Sequence, residues 1–414
     1  MPILVQKFGG TSVQDAICIK RVAKIATDAQ KAGYEVVIVV SAMGDTTDNL
    51  IDLASQITPK PDPREYDLLL STGEQISIPL VAMAIHDLGA KAISQTGLQV
   101  GIFTEDKHGK ARITEIKTEK IKKYLKDGNI IVVAGFQGIS KDTGEITTLG
   151  RGGSDTTAVA LAVAIGAERC DIYTDVDAVY TTDPEIVRDA SRLKHISYEE
   201  MLELASLGAQ VLHPRSVEIA KNYKMPMRVR SSFKIQDEGT LIEGVGKMEL
   251  NKPVSGVALD ESQARIAITG VPDRPGIAAK VFESLAKKNI SVDMIIQSTS
   301  HDGINEIAFT VDKDTVAESE KVSNEIAKDL GAKKVTIDTN ISKVSIVGAG
   351  MIGRPGIAAA MFKALADASI NIQMISTSEI KVSCVVDKKD GEKAVKAIHK
   401  VFELDKVEKE TQKV

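Results

Sequence analysis

The sequence predicts an α/β domain with a mainly parallel central sheet, followed by two small α+β modules. Segments 35–40 and 130–134 are continuous apolar runs, the composition of strands that are buried on both faces. Amphipathic helical patterns separate such runs, as in a parallel sheet covered by helices. A repeat in the last third of the chain predicts the two modules. With 414 residues and 43% hydrophobic content, the chain is long enough for two or three domains.

Charge and composition argue against several classes of function. The 52 basic and 57 acidic residues are well mixed, so the chain has no basic stripe for nucleic acid. Aromatic residues make up only 4% and there is no Trp, which disfavours base-stacking surfaces. Cys18, Cys170 and Cys384 are far apart and predict reduced thiols. We find no secretion signal and no apolar run near ~18 residues, so we expect a cytoplasmic protein without a membrane span.

The first stretch with chemical character is Lys7-Phe8-Gly9-Gly10-Thr11-Ser12, directly after an apolar run. It predicts a strand, a tight turn and a helix start. Glycines allow a ligand to approach the backbone, helix N–H groups bind anions, and Lys7 adds a positive charge. A phosphate site is one interpretation and an ordinary βα turn is the other. A helical pattern then runs to Gly33, which we expect at the helix end.

Two further segments in the first half carry candidate ligands. A polar loop, Ser41 to Asp48, follows the strand 35–40, at the end where open α/β sheets place their ligands. A helix is expected from Pro63 to Leu88, with Ser71-Thr72-Gly73-Glu74 inside it. Gly73 is costly in a helix, so it indicates a close approach beside Glu74; a mobile glycine beside a solvated glutamate is the alternative.

A second glycine-rich stretch, Gly150-Arg151-Gly152-Gly153-Ser154-Asp155, precedes an Ala-rich helix over 158–167. Three glycines with an Arg and a Ser-Asp pair at a helix start predict a second anion site. The strand 171–174 then leads into the acidic segment 175–184, whose carboxylates suit ribose hydroxyls or the water shell of a metal. We expect the last strand of this domain at 227–230 and an interdomain crossover over 236–247.

The repeat relates two segments at a constant offset of 80 residues. Arg274-Pro275-Gly276-Ile277-Ala278-Ala279 recurs as Arg354-Pro355-Gly356-Ile357-Ala358-Ala359, and 12 of 22 positions from Arg274 to Ile295 are identical. Each copy predicts a strand, a helix that starts after Pro-Gly, and further strands. The N–H groups of such a helix start can bind a carboxylate. The period is too long for a stacked array, so two separate modules are predicted.

Taken together, the motifs at 7–12, 71–74, 150–155 and 174–177 resemble the aspartate kinase family. The resemblance implies the amino-acid kinase fold, a three-layer sandwich, over residues 1–246. It implies ferredoxin-like ACT modules over 247–340 and 341–414. The implied reaction is ATP-dependent phosphorylation of the L-aspartate side-chain carboxylate, the first step toward lysine, threonine and methionine. A kinase of the same fold that acts on glutamate, N-acetylglutamate or UMP, and a non-catalytic amino-acid sensor, are the alternatives.

The resemblance also implies roles for individual residues. The implied catalytic residues are Lys7 and Asp155. The implied ATP-binding residues are Lys7, Phe8, Gly9, Gly10, Thr174, Asp175, Tyr180, Pro184 and Gln210. The implied aspartate-binding residues are Thr47, Glu74, Arg151, Gly152, Gly153 and Ser154. Mg²⁺ would bridge the phosphate oxygens, and no protein ligand is assigned to it. Many relatives have Lys at the position of Gln210, so one phosphate contact differs here.

Regulation by lysine or threonine, or by both, is implied at the ACT modules. The implied effector-binding residues are Asp273, Arg274, Gly276, Ile277, Ala278, Gln297, Asn371 and Ile372. Asp273 is also in position to be a plain helix cap. The second repeat has Gly353 where the first has Asp273, so we expect two non-equivalent sites. A homodimer or a larger homo-oligomer is expected, because ACT modules commonly pair their sheet edges between chains. Met248 could start a separate regulatory subunit.

Overall fold

The structure, a computed structural model, describes residues 1–207, 211–244, 252–298 and 303–406. These residues form two units. The first contains residues 1–179, 192–206 and 211–244, and the second contains residues 180–191, Leu207, 252–298 and 303–406. Gln210, Met248 and the predicted domain boundary after residue 246 lie outside the described residues.

The first unit contains twelve strands and eight helices among its described residues. Its strands are β1 (Ile3–Phe8), β2 (Glu35–Val40), β3 (Ala92–Gln95), β4 (Ile102–Thr104), β5 (Ile113–Ile116), β6 (Ile130–Ala134), β7 (Gln137–Ser140), β8 (Ile146–Thr148), β9 (Arg169–Thr174), β10 (His195–Ser197), β11 (Met227–Ser231) and β12 (Thr240–Glu243). Its helices are α1 (Ala16–Lys31), α2 (Thr46–Ile57), α3 (Pro63–Asp87), α4 (Gly97–Val100), α5 (Glu119–Lys126), α6 (Gly153–Ile165), α7 (Tyr198–Ser206) and α8 (Pro214–Tyr223).

The central sheet of this unit has the order β10-β12-β11-β9-β1-β2-β6-β3. Every neighbouring pair is parallel except β11 with β12. Val36, Ile38 and Val40 of β2 pack into a core with α1 and α3. Val37 and Val39 point to the opposite face, because strand side chains alternate, and α6 packs against that side. The prediction of a mainly parallel sheet between two helical layers is confirmed.

Several predicted element boundaries in this unit are wrong. The Gly-Gly turn leads into a short 3-10 helix, Gly10–Val13, and α1 begins only at Ala16. Its N-cap is Asp15, which accepts a hydrogen bond from Cys18 N, rather than Thr11 or Ser12. The end of the polar loop at 41–48 forms the first turn of α2. The predicted crossover contains β12, which lies between β11 and β10 in the central sheet.

Helix α3 is the one element of the described residues long and apolar enough to cross a membrane, with a mean hydropathy of 1.5 over 18 residues. Half of that window is buried inside the protein. The helix also buries the polar side chains of Asp67, Ser71, Glu74 and Ser77. Buried polar groups of this kind belong to a core helix, and the side chains of two of them, Asp67 and Glu74, accept hydrogen bonds from other elements.

The second unit contains the repeat. Its strands are β13 (Gly256–Asp260), β14 (Gln263–Pro272), β15 (Ile295–Gln297), β16 (Ile304–Asp312), β17 (Lys334–Asp338), β18 (Ile341–Val347), β19 (Met374–Thr377) and β20 (Lys381–Asp387). Its helices are α9 (Ile277–Ala286), α10 (Val316–Leu330), α11 (Ile357–Asp367) and α12 (Gly391–Val401). The strands form two antiparallel sheets, with the orders β15-β16-β14-β17 and β13-β18-β20-β19. The prediction of two α+β modules is confirmed.

Two features of this unit were not expected from the sequence. Strand β13 precedes the first repeat in the chain but pairs with β18 of the second. Residues 180–191 also belong to this unit, although they follow β9 of the first. Thr181 O accepts from Val257 N at 2.7 Å, and Thr181 Oγ1 lies 3.0 Å from His399 Nε2. Ile186 and Val187 pack against the core of the second sheet.

Candidate functional site

An ion pair lies at the carboxyl edge of the central sheet. Lys7 Nζ is 2.7 Å from Asp155 Oδ1, and these side chains are only 12% and 11% exposed. Lys7 comes from β1, and Asp155 lies in the first turn of α6, where the helix dipole favours a negative charge. The structure therefore brings together the two residues that the sequence predicts as catalytic.

The Gly9-Gly10 turn packs closely against the loop after β2. Gly44 N donates to Gly10 O at 3.1 Å, and Gly9 N donates to Tyr173 O at 3.2 Å. Phe8 stacks on Tyr173 of the neighbouring strand, with ring centroids 4.7 Å apart. These contacts fix the backbone that follows Lys7, and they leave the Gly9 N–H group occupied by Tyr173 O.

Glu74 is buried on α3 and points toward the same loop. Its Oε1 accepts from Ala42 N at 3.1 Å, while Oε2 is buried without a hydrogen-bond partner among the described residues. Burial raises the pKa of Glu74 to about 8. A Cβ on Gly73 would lie 2.8 Å from Ala42 Cβ, so the glycine is needed for this approach. The structure thus has the close approach that Gly73 indicates in the sequence, and its partner is Ala42 in the loop after β2.

The second glycine-rich stretch forms a turn into α6. Gly152 has φ +67°, and a Cβ there would lie 2.2 Å from the His213 side chain. Ser154 is buried, and Arg151 is exposed. Helix α6 begins at Gly153, five residues earlier than the expected start at Ala158.

Two residues that the sequence gave no reason to select support this turn from α8. Arg215 donates from its guanidinium to Leu149 O at 3.0 Å and to Ala111 O at 2.7 Å. His213 caps α8 by accepting from Arg215 N, and burial lowers the pKa of its ring. Their only signal in the sequence is a Pro at the start of a helix, which is common in any protein.

The predicted nucleotide-binding residues divide between the two units. Thr174 ends β9, beside β1, and its Oγ1 lies 2.9 Å from Asp175 Oδ1. Tyr180 and Pro184 lie in the 180–191 segment of the second unit. Thr47, predicted to contact the substrate, lies in the first turn of α2 and is partly buried.

A separate cavity of about 370 Å³ lies at the start of α9 in the second unit. Its walls include Asp273, Arg274, Gly276, Ile277, Ala278 and Gln297, six of the predicted effector-binding residues. Asn371 and Ile372 lie between α11 and β19 and are not part of its lining. Gly276 has φ +93° and forms the N-cap of α9, so free N–H groups follow it.

Asn305 also lines this cavity, and the sequence did not single it out. Its Nδ2 donates to Asp273 Oδ1 at 2.9 Å. Its Oδ1 is buried and has no hydrogen-bond partner among the described residues. The cavity therefore contains an unused acceptor beside a carboxylate, which suits an ammonium or hydroxyl donor on a ligand. Asn305 lies 32 residues from Asp273 in the chain, and only strand pairing brings the two together.

Comparison with known proteins agrees with this architecture. Residues 2–231 match the amino acid kinase family, and residues 265–331 and 344–402 each match an ACT domain. Aspartate kinase from Pseudomonas putida is 51% identical over 406 residues, which cover 98% of each chain. The chain belongs to the aspartate kinase family.

Solved structures support the same assignment. Aspartokinase III from Escherichia coli, in complex with aspartate and ADP in its R-state, matches with a TM-score of 0.81 and 28% identity. The match covers 96% of this chain and 99% of that one. Its complex with lysine and aspartate, in the T-state, matches with a TM-score of 0.74 over the same shares. The predictions of the fold and of a kinase in this family with a carboxyl acceptor are confirmed.

The raised pKa of Glu74 predicts how stability changes with pH. The folded pKa of about 8 lies above the ordinary value of 4.5, so the folded state keeps a proton that the unfolded state loses. This contribution to stability is fully present below pH 4.5 and is lost as the pH rises through 8. Glutamine does not titrate, so we expect the free energy of unfolding of the parent to fall relative to that of Glu74→Gln as the pH rises from 5 to 9. The expected change is on the order of a few kcal/mol.

The measurement is the thermal midpoint of both proteins across this pH range. Glu119→Gln, at an exposed carboxylate in the first turn of α5, serves as the control and keeps the pH profile of the parent. Parallel profiles for Glu74→Gln and the parent would show that the buried carboxyl titrates normally.

Proposed function

We propose that the protein transfers the γ-phosphoryl group of ATP to the side-chain carboxylate of L-aspartate, forming ADP and 4-phospho-L-aspartate. The new bond joins a carboxylate oxygen to phosphorus, and the bond between phosphorus and the ADP oxygen breaks. The observation that carries the proposal is the buried Lys7–Asp155 pair, which lies at a glycine turn in the same unit as the half-satisfied Glu74 carboxyl.

The reaction needs no general base at the nucleophile. A carboxyl group with a pKa of ~3.9 is already ionised at neutral pH. The difficulty is to bring this anion toward an anionic phosphoryl group, which calls for positioning and charge neutralisation. Lys7 supplies the positive charge. Gly9 and Gly10 have no side chains, so the phosphoryl group can come close to their backbone. Asp155 contacts Lys7 at 2.7 Å, so its role is to orient the ammonium rather than to accept a proton.

The two ends of aspartate find opposite charges in this arrangement. Arg151 is exposed at the glycine-rich turn, where its guanidinium can take the α-carboxylate as a bidentate partner. Glu74 offers Oε2 to the α-ammonium, and binding then releases the proton that its raised pKa retains. Ser154 and Thr47 would add hydroxyl contacts, and the backbone of Gly152 and Gly153 is proposed to line the substrate site.

ATP is the proposed donor, held in the first unit by Phe8, Gly9, Gly10, Thr174 and Asp175. Tyr180, Pro184 and Gln210 remain predictions from the family resemblance. The described residues contain no group of three His, Cys, Asp or Glu side chains suited to a metal. Mg²⁺ would be held mainly by phosphate oxygens and water, and Asp155 or Asp175 would interact with its water shell. Bound in this way, Mg²⁺ would neutralise charge on the phosphates.

The test is an ADP-release assay on the full chain with L-aspartate, L-glutamate, N-acetylglutamate and UMP as acceptors. We expect turnover with L-aspartate and at least about a hundredfold less with the others, because Glu74 and Arg151 select a free amino acid of this length. We also expect Lys7→Ala to reduce turnover by at least about a thousandfold, since it removes the charge opposite the phosphoryl group.

Lys24→Ala is the matched control, because Lys24 forms an exposed ion pair with Asp28 on α1. That variant should keep the parent's turnover. Near-normal activity of Lys7→Ala would contradict the proposed site, and preferred turnover of another acceptor would contradict the proposed substrate.

We further propose feedback inhibition by lysine or threonine, or by both, at the cavity lined by Asp273 and Asn305. The Asp273 carboxylate and Asn305 Oδ1 would receive the effector ammonium, and the N–H groups at the start of α9 would receive its carboxylate. Asn371 and Ile372 of the second repeat remain proposed contacts. We propose that the reaction is the first step of the synthesis of lysine, threonine and methionine. We also propose that the protein is cytoplasmic.

We expect Asp273→Ala and Asn305→Ala each to raise the inhibitory concentration of the effector by about tenfold or more, with turnover changed less than twofold. Each substitution removes one partner of the ammonium. The measurement is inhibition of the ADP-release assay by lysine, threonine and their mixture. Asp367→Ala, at an exposed ion pair on α11, is the control. Inhibition curves identical to the parent's would remove these two residues from the effector site.

The domain limits proposed are 1–246 for catalysis, 247–340 for the first ACT region and 341–414 for the second. We also propose at least a homodimer, formed through the ACT modules, because each four-stranded sheet has two edge strands. Sedimentation velocity of the full chain at micromolar concentration should give at least twice the chain mass of 44.4 kDa. A single species at the chain mass would contradict the dimer.

A further inference from the structure

Asp67 is a fully buried carboxylate to which neither the sequence nor the proposed reaction assigns a role. Its side chain lies on the first two turns of α3 and is 0% exposed. The Gly109 N–H group donates to both of its oxygens, at 3.1 and 3.0 Å. Thr148 donates twice, from N at 2.9 Å and from Oγ1 at 2.6 Å, and His108 Nδ1 lies at 2.9 Å.

This set of partners defines what the carboxylate does. An ionised carboxylate only accepts hydrogen bonds, so it can satisfy every one of these donors at once. Hydrogen bonds to a charged acceptor are stronger than those between neutral groups. Asp67 therefore joins three separate segments, α3, the loop at 108–109 and the end of β8, at one buried point.

The end of β8 leads directly into the turn that carries Arg151. Thr148 is the last residue of β8 and lies three residues before Arg151. The loop held by Asp67 also contacts the turn itself, because a Cβ on Gly150 would lie 2.9 Å from Gly109 O. From the other side, Arg215 donates to Leu149 O at 3.0 Å. The start of the Arg151 turn is thus fixed by side chains of α3 and α8.

Helix α3 links this anchor to Glu74. Asp67, Ser71 and Glu74 are spaced i, i+4 and i+7, so they share one face of the helix, and all three are buried. Ser71 O accepts from Gln137 Nε2 at 2.8 Å, and Gln137 pairs with Thr148 across the β7–β8 hairpin. Seven residues of helix advance by about 10 Å, so the helix acts as a rigid spacer.

We propose that Asp67 is a positioning residue, which sets the Arg151 turn relative to Glu74 and thereby tunes the site to the two charged ends of its amino-acid substrate. The inference rests on the proposed roles of Arg151 and Glu74. Asp67 touches neither substrate in this scheme. Its effect reaches aspartate through Thr148 and the turn, and it has no corresponding contact with Lys7 or the Gly9-Gly10 cradle.

The test is Asp67→Asn in the full chain, with steady-state kinetics in both substrates. The amide keeps the shape but turns one acceptor into a donor that faces N–H groups. We expect the KM for L-aspartate to rise by about tenfold or more, while the KM for ATP changes by less than twofold. Thr148→Val keeps the backbone N–H bond and loses only the hydroxyl bond, so we expect a rise in the aspartate KM of about threefold.

Glu200→Gln is the matched control, since Glu200 is another buried carboxylate in this unit and accepts from Ser197 N and Oγ at 3.1 and 2.7 Å. It should lower the thermal midpoint without a selective change in the aspartate KM. If Asp67→Asn affects both KM values equally, or only the thermal midpoint, its role is structural and the inference is overturned. If Asp67→Asn does not fold, Thr148→Val decides by the same criterion.

Arg151→Ala separates this inference from the proposed function. A large rise in the aspartate KM for Arg151→Ala, together with an unchanged value for both Asp67→Asn and Thr148→Val, would reject the positioning role alone. An unchanged aspartate KM for Arg151→Ala would instead reject the proposed carboxylate contact on which the inference rests.

Discussion

The ion pair between Lys7 and Asp155 links the central sheet to the helix beside it. Because both side chains are nearly buried, each charge depends on the other, and removing one partner would leave an unpaired charge in a poorly solvated site. The parallel order of β9, β1 and β2 places their carboxyl ends at one edge. The glycine turn, the Ala42 loop and the start of α6 are thereby concentrated around one ammonium group.

The sequence was sufficient for the parts of the fold that follow local rules. Continuous apolar strands, glycine-rich helix starts and the repeat at offset 80 led to the layers, both glycine turns and the two modules. The sequence was insufficient where the position of an element depends on contacts between residues that are far apart in the chain. Strand β12 is short and follows a polar segment, and its place depends on β11. Asp67 and Thr148 are 81 residues apart, and no local pattern marks an aspartate whose partners lie that far away.

The two repeats share a backbone but differ in chemistry at the helix start. Gly276 and Gly356 have φ values of +93° and +94°, so both helices begin with the same geometry. The first repeat places Asp273 and the unsatisfied Asn305 oxygen near that start, whereas the second has Gly353 in place of the aspartate. A shared scaffold therefore presents different polar groups at the two helix starts.

The 180–191 segment limits how freely the chain can be divided. It follows Val179 of the first unit in the chain, yet Thr181 forms hydrogen bonds with Val257 and His399, and Ile186 and Val187 pack against the core of the second ACT sheet. A fragment ending near residue 246 would expose Ile186 and Val187 and remove the contacts of Thr181 with Val257 and His399. The kinase and ACT regions of two proteins of this family can therefore not be exchanged at a single boundary near residue 246. A chimaera must combine the ACT modules with the 180–191 segment of the same protein.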